Sequence, residues 1–118
     1  MNRRELGQKW EELTEQYLRK KGYKILTRNY QIRGGEIDIV AQDGEFLVFI
    51  EVRFRSDISF GTPSETVNKK KKAALKKAIK VYIHENFLYH LQPRVDFIGI
   101  EQKDNQFFVN HYQNVLDF

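Results

Sequence analysis

Residues 36–55 read EIDIVAQDGEFLVFIEVRFR, and this stretch decides the fold. Two apolar-rich runs, 36–42 and 45–55, flank Asp43-Gly44, a two-residue sequence that favours a tight β-hairpin. Within the second run, Phe46-Leu47-Val48-Phe49-Ile50 is apolar at odd and even positions alike. A strand of that kind is central and covered on both faces, so the sheet needs a layer on each side. With Asp43 and Gly44 as the loop, Gln42 pairs with Glu45, Asp38 lies opposite Phe49, and Glu36 lies opposite Glu51. Asp38 and Glu51 then become diagonal neighbours on one face, with Cα atoms roughly 7–8 Å apart. Arg53 shares that face by the two-residue alternation of strand side chains.

Helical and extended patterns alternate outward from the hairpin. Upstream, Leu6, Trp10, Leu13 and Tyr17 recur at helical spacing and predict an amphipathic helix over residues 3–20. Lys20-Lys21-Gly22 ends it, with cations in the last turn and a glycine suited to a C-terminal cap. A strand over 23–31 follows, interrupted by Arg33-Gly34-Gly35. Downstream of Phe60-Gly61, Thr62-Pro63-Ser64-Glu65 reads as a capped helix start: Thr62 caps, Pro63 suits the first helical position, and Glu65 closes a capping box. That helix is expected to reach Phe87, with Leu75, Ile79, Tyr82 and Ile83 facing the core. Pro93 opens a strand to Ile100, and Asp104-Asn105 turns into a last one over 107–112. The order α-β-β-β-α-β-β predicts an α/β fold, a mixed β-sheet flanked by helices. With two prolines in 118 residues, no linker-like stretch and no repeat, residues 1–118 are read as one domain.

Composition narrows the function classes. Hydrophobic residues at 41% and charged residues at 31% describe an ordinary folded domain rather than a disordered one. The absence of cysteine excludes disulfide scaffolds, cysteine zinc sites and thiol nucleophiles. The charged start, Met-Asn-Arg-Arg-Glu, leads into no apolar segment, so no signal peptide is expected. The run Phe46–Ile50 is far too short to span a bilayer. A cytoplasmic protein without membrane association is the expectation. The net charge of +4 is compatible with a polyanionic partner.

The acidic hairpin is the first chemically informative feature. Glu51 interrupts an apolar central strand where burial should persist, and a buried unpaired carboxylate is costly. A divalent cation between Asp38 and Glu51 would remove the conflict, because hard cations take carboxylate oxygens. Pairing of Glu51 with Arg53, Arg55 or Arg33 at a strand end would remove it equally well. Lys69, Lys72, Lys76 and Lys80 form the second feature, a basic stripe opposite the apolar face of the second helix. Such a stripe binds phosphates without sequence preference, or is a solvated face of good helix formers. Arg53 and Arg55 lead into the connection after the strand. His84, His90 and His111 show no ligand spacing, and helix surface or strand end is their expected place. Phe97, Phe107 and Phe108 read as core or strand residues. Asp96, another acid in an apolar strand, either pairs with Arg94 or supports the site from behind.

Gly35-Glu36-Ile37-Asp38, a hairpin, and Ile50-Glu51-Val52-Arg53-Phe54-Arg55 together resemble the motif of the PD-(D/E)XK nuclease-like superfamily. More narrowly, the chain resembles the YraN family of small bacterial proteins, similar in fold to archaeal Holliday-junction resolvases. Gly22-Tyr23, Arg28-Asn29-Tyr30, Phe60-Gly61 and Arg94-Val95-Asp96 extend the likeness over nearly the whole chain. The resemblance implies a restriction-endonuclease-like fold and a metal-dependent endonuclease acting on DNA. Asp38 and Glu51 would hold Mg²⁺ or Mn²⁺, with the Val52 backbone carbonyl and Glu11 as further ligands. It also implies a homodimer, since resolvase relatives cut two symmetric strands. Position 53 departs from the superfamily's usual lysine: arginine stays protonated, so it can steady a phosphate but cannot act as a general base.

Three readings follow from the residues taken together with the resemblance, the first of them implied by it. The chain is a metal-dependent nuclease using Asp38, Glu51 and Arg53, with Arg55, Lys69, Lys72, Lys76 and Lys80 on nucleic acid. Alternatively it is a non-catalytic nucleic-acid-binding module that keeps the fold. As a third reading, it is an interaction protein whose acidic hairpin simply meets an arginine.

Overall fold

The computed structural model describes residues 3–55 and 69–116. In chain order the elements are α1 (Arg3–Lys20), β1 (Lys24–Ile32), β2 (Gly35–Asp43), β3 (Phe46–Arg55), α2 (Lys69–Asn86), β4 (Gln92–Lys103) and β5 (Gln106–Tyr112). They match the expected order α-β-β-β-α-β-β. The expected cap at Thr62–Glu65 and the Phe60-Gly61 pair lie outside the described residues. No helix among the described residues is long and apolar enough to cross a membrane.

One sheet in the order β1-β2-β3-β4-β5 carries the fold. β3 and β4 are parallel, and the other neighbours are antiparallel. A parallel pair requires a crossover, and α2 is the helix that lies between β3 and β4 in sequence. The sheet has a core on each face. On the α2 side, Leu47 and Phe49 of β3 meet Leu75, Ala78, Ile79 and Tyr82. On the α1 side, Val48 and Ile50 join Leu18, Ile98 and Ile100. From Leu47 to Ile50 the apolar run of β3 is therefore buried alternately on two faces, as expected, whereas Phe46 at the start of the strand is exposed.

α1 is rotated from its expected orientation. Trp10, Leu13 and Tyr17 are only half-buried, whereas Thr14, Glu15 and Leu18 are buried; the side chain of Leu6 lies outside the described residues. The rotation brings Glu15 Oε1 to 3.1 Å from Arg28 Nε of β1, a charge contact without hydrogen-bond alignment.

The hairpin register also differs from the expected one. Asp43 pairs with Phe46, leaving Gly44-Glu45 as the loop, and Ile39 pairs with Ile50. Each β2 residue is thus displaced by two positions along β3. Gly44 takes φ +59, a left-handed value suited to glycine at the first loop position. Pairing ends at Ile39–Ile50, because β2 changes faces at Asp38: Ile37 packs in the α2-side core and Ile39 in the α1-side core. β1 does the same at the facing position. Arg28 reaches Glu15 of α1, Tyr30 stacks edge-on against Tyr82 of α2, and Asn29 between them sits at φ +51.

α2 is held close to the sheet at Gly35. A Cβ there would stand 2.8 Å from the carbonyl oxygen of Ala74 and 3.5 Å from the Ala78 Cβ. Gly35→Ala should therefore destabilise the protein by about 1–3 kcal/mol through overpacking, read as a lower denaturant midpoint. An unchanged midpoint would show that α2 can withdraw from β2 at no cost.

Candidate functional site

Where β2 and β3 part, each strand leaves one carboxylate. Glu51 lies on the α2 side of β3, half-buried, with its Oε1 3.2 Å from an Arg53 guanidinium nitrogen and 2.9 Å from Lys71 Nζ. Burial pushes its carboxyl up from the ordinary glutamate value, and Arg53 pulls it back only in part. Glu36 lines the same shallow cleft as Glu51, Arg53 and Lys71.

Asp38 takes a different position from the expected one. Instead of lying diagonally beside Glu51 on one face, it sits at the point where β2 changes faces and accepts the Val52 backbone N–H at 2.8 Å. Its carboxylate replaces the strand carbonyl that the ladder no longer supplies. It lines a cavity of about 350 Å³ on the α1 side, together with Trp10, Glu11, Asn29, Arg53 and Phe54. Burial drives the Asp38 carboxyl up to about 6; the Val52 N–H opposes this, and the negative charges of Glu51 and Glu36 add to it. Asp38 thus feels the charge of Glu51 although the two face different layers, and Arg53 borders both clefts.

The other expected site residues are distributed as follows. Glu11 is exposed and lines the Asp38 cavity. Val52 lines it too and offers Asp38 its N–H. Arg55 closes β3, and its side chain lies outside the described residues. Lys69 and Lys80 are exposed, while Lys72 and Lys76 are half-buried. Among the described residues, no group of three or more His, Cys, Asp or Glu side chains is placed to hold a metal ion. Asp38 and Glu51 flank the fork from opposite layers, Asp38 held by the Val52 N–H and Glu51 by Arg53 and Lys71.

Sequence reasoning missed three features. Lys71 belongs to the counted lysine run, but only the docking angle of α2 shows that it reaches Glu51. Glu15, 4% exposed, is the buried acid of α1; its spacing from Arg19 and the apolar neighbour Leu18 were the available signals. The third is the extent of the network around Asp96, which is fully buried: its pairing with Arg94 is one of the two expected alternatives, but the convergence of His111 and the Asn114 backbone on the same carboxylate was not expected. Arg94 donates to it through Nε at 2.9 Å and a terminal nitrogen at 3.1 Å, and the Asn114 backbone N–H donates at 3.1 Å. His111 Nε2 lies 2.7 Å from Asp96, and its Nδ1 lies 3.0 Å from the Tyr17 hydroxyl. His111 is thus a buried partner rather than a free strand-end residue, while His84 and His90 are exposed. Burial alone would push Asp96 up, but the bonds from His111, Arg94 and Asn114 outweigh it and hold the carboxyl below the ordinary value.

The two aspartates should respond oppositely to neutralisation. Asp38 binds its proton more tightly folded than unfolded, so its ionisation weakens the fold as pH rises from about 4 through about 6. With chelator present, Asp38→Asn should be more stable than the wild type by about 1–3 kcal/mol at pH 7.5 and nearly equal to it at pH 4. Thermal melts at both pH values check this, and a loss of stability at pH 7.5 would mark Asp38 as a structural anchor. Asp96→Asn should instead cost about 3–5 kcal/mol at pH 7.5, because it removes the fully buried carboxylate that pairs with Arg94 and leaves that guanidinium only the half-buried Asp43, 3.2 Å away.

Comparison with known proteins agrees with the narrower of the two resemblances. Residues 10–100 match the family described as "Uncharacterised protein family UPF0102". A UPF0102 protein of Carboxydothermus hydrogenoformans is 97% identical over 118 residues, covering 100% of both chains. One from Dehalococcoides mccartyi is 44% identical over 100 residues, 85% of this chain and 83% of the relative. Another, from Syntrophomonas wolfei, is 42% identical over 113 residues, covering 96% and 98%. With a match of that extent and relatives that align almost end to end, the chain belongs to the UPF0102 family, the YraN family its hairpin motif resembles.

Proposed function

We propose that this protein is a metal-dependent endonuclease-like phosphodiesterase acting on DNA. The observation that carries the reading is the coupled pair of half-buried carboxylates, Asp38 and Glu51, at the fork between β2 and β3. Both are pushed toward the protonated form, a cost that a bound cation would relieve. Asp38 and Glu51 would hold Mg²⁺ or Mn²⁺, with the Val52 carbonyl and Glu11 as the nearest further oxygen donors. When bound, the ion supplies a water of lowered pKa and neutralises charge on the scissile phosphate.

The chain's own residues account for the rest of the chemistry. Arg53 borders both clefts, so its guanidinium would orient the phosphate and balance developing charge. Lys71 brings to Glu51 the ammonium that the arginine at position 53 does not provide. Lys69, Lys72, Lys76 and Lys80 on α2, with Arg55, would hold the DNA backbone through sequence-independent, salt-sensitive contacts. A twofold dimer, needed to cut two symmetric strands, belongs to the same reading.

One observation favours a second reading, a non-catalytic nucleic-acid-binding module. Glu51 already has two cations against it, which offset part of its charge without a metal. Calorimetry with Mn²⁺ and Mg²⁺ separates the two. In the nuclease reading the wild type binds Mn²⁺, Asp38→Asn and Glu51→Gln each weaken binding at least about ten-fold, and affinity rises from pH 5 to pH 7.5 as Asp38 loses its proton. No binding by the wild type, even with a DNA duplex present, would favour the binding module.

A further inference from the structure

The cavity on the α1 side of Asp38 is built differently from the Glu51 cleft on the other face. Its wall is aromatic: Trp10 of α1 and Phe54 of β3 are stacked with their ring planes 12° apart, and both are half-buried. Its rim is polar, made by Asn29, Asp38, Glu11 and Arg53. At about 350 Å³ it lies at the small end of ligand sites, which run roughly 300–1,000 Å³. That volume admits one planar heterocycle with part of its sugar. The Asn29 backbone, at φ +51, belongs to the distortion that also displaces Asp38, so the amide and the carboxylate reach the cavity through one irregularity.

We propose that this cavity is a binding site for one unpaired nucleobase, stacked on an outer face of the Trp10–Phe54 pair, since the two rings already cover each other's inner faces. The inference deepens the phosphodiesterase reading and rests on it for the identity of the ligand. Arg53 borders the cavity and the Glu51 cleft alike, so a backbone phosphate held by Arg53 places the adjoining base at the mouth of the aromatic wall. Aromatic faces take any base, which makes stacking tolerant of sequence. A base within an intact duplex is already stacked and paired and cannot enter without being flipped out. The substrate class is therefore DNA with an unpaired nucleotide beside the phosphodiester: a single strand, a flap or an open branch point.

Trp10 is the protein's single tryptophan, so its fluorescence reports this cavity directly. The experiment titrates the full chain with an oligothymidylate strand, an abasic strand of the same length, and a fully paired duplex, following tryptophan emission and binding anisotropy. Expected are quenching by the oligothymidylate and at least about ten-fold tighter binding to it than to the abasic strand or the duplex. Trp10→Leu should reduce oligothymidylate affinity to that of the abasic strand, and Trp10→Phe should retain most of the preference. Phe54→Leu repeats the test from the β3 side should Trp10→Leu fail to fold, with folding checked by circular dichroism.

Equal affinity for the oligothymidylate and abasic strands, with unchanged emission, overturns the base site; the nuclease reading is then judged separately by Mn²⁺ calorimetry. Base-dependent quenching without any Mn²⁺ binding upholds the base site and overturns the nuclease reading.

Discussion

A strand buried on both faces cannot carry a charge without something to meet it, and β3 carries Glu51 just beyond its apolar run. Much of the molecule answers that constraint. Covering both faces of Phe46–Ile50 requires a helix on each side of the sheet. Parallel pairing with β4 requires a crossover, and α2 lies there in sequence. Gly35 lets the α2 backbone approach β2 almost to contact, and that approach brings Lys71 to the Glu51 carboxylate. The candidate site is a product of how the central strand is covered.

Two groups of buried charge in the same sheet show opposite physical states. Around Asp96 every partner is in place: a guanidinium, an imidazole and a backbone N–H converge on one carboxylate, and the Tyr23 hydroxyl, pushed up to about 12 by burial and by Asp96, closes the set. That network ties α1, β4, β5 and the segment after β5 together, and it has the character of a structural anchor. At the β2–β3 fork the acids are only partly compensated, and both are displaced toward protonation. A fold that can satisfy Asp96 so fully, yet leaves Asp38 with a single backbone donor among the described residues, places its electrostatic tension at the mouth of two clefts. Such tension is characteristic of sites that bind ions or perform proton chemistry.

The tension arises from an irregularity rather than from the regular sheet. Had β2 alternated without interruption in the observed register, Asp38 would have faced Glu51 directly. The reversal at Asp38, matched by the left-handed Asn29 on β1, turns one carboxylate to the α1 side and leaves the other on the α2 side. Arg53 is left between them. One face of the fork sets Glu51 and Glu36 against Lys71 and Arg53; the other sets Asp38 beside Trp10 and Phe54.

Element order, the central strand and the two-layered cover were legible in the sequence, because hydrophobic periodicity is local and β3 declares its double burial within five residues. The acids of the motif and the basic run of α2 were legible for the same reason: they are residue types at short spacing. The two-residue displacement of the hairpin was not, since Asp43-Gly44 and Gly44-Glu45 are both acceptable loops, and pairing across the sheet chooses between them. Nor was the break at Asp38, which requires a matching distortion on the neighbouring strand. The rotation of α1 that buries Glu15, the reach of Lys71 to Glu51 and the capture of His111 by Asp96 were decided by tertiary structure alone. Each depends on where a helix or strand distant in sequence comes to rest, and no spacing along the chain encodes that position.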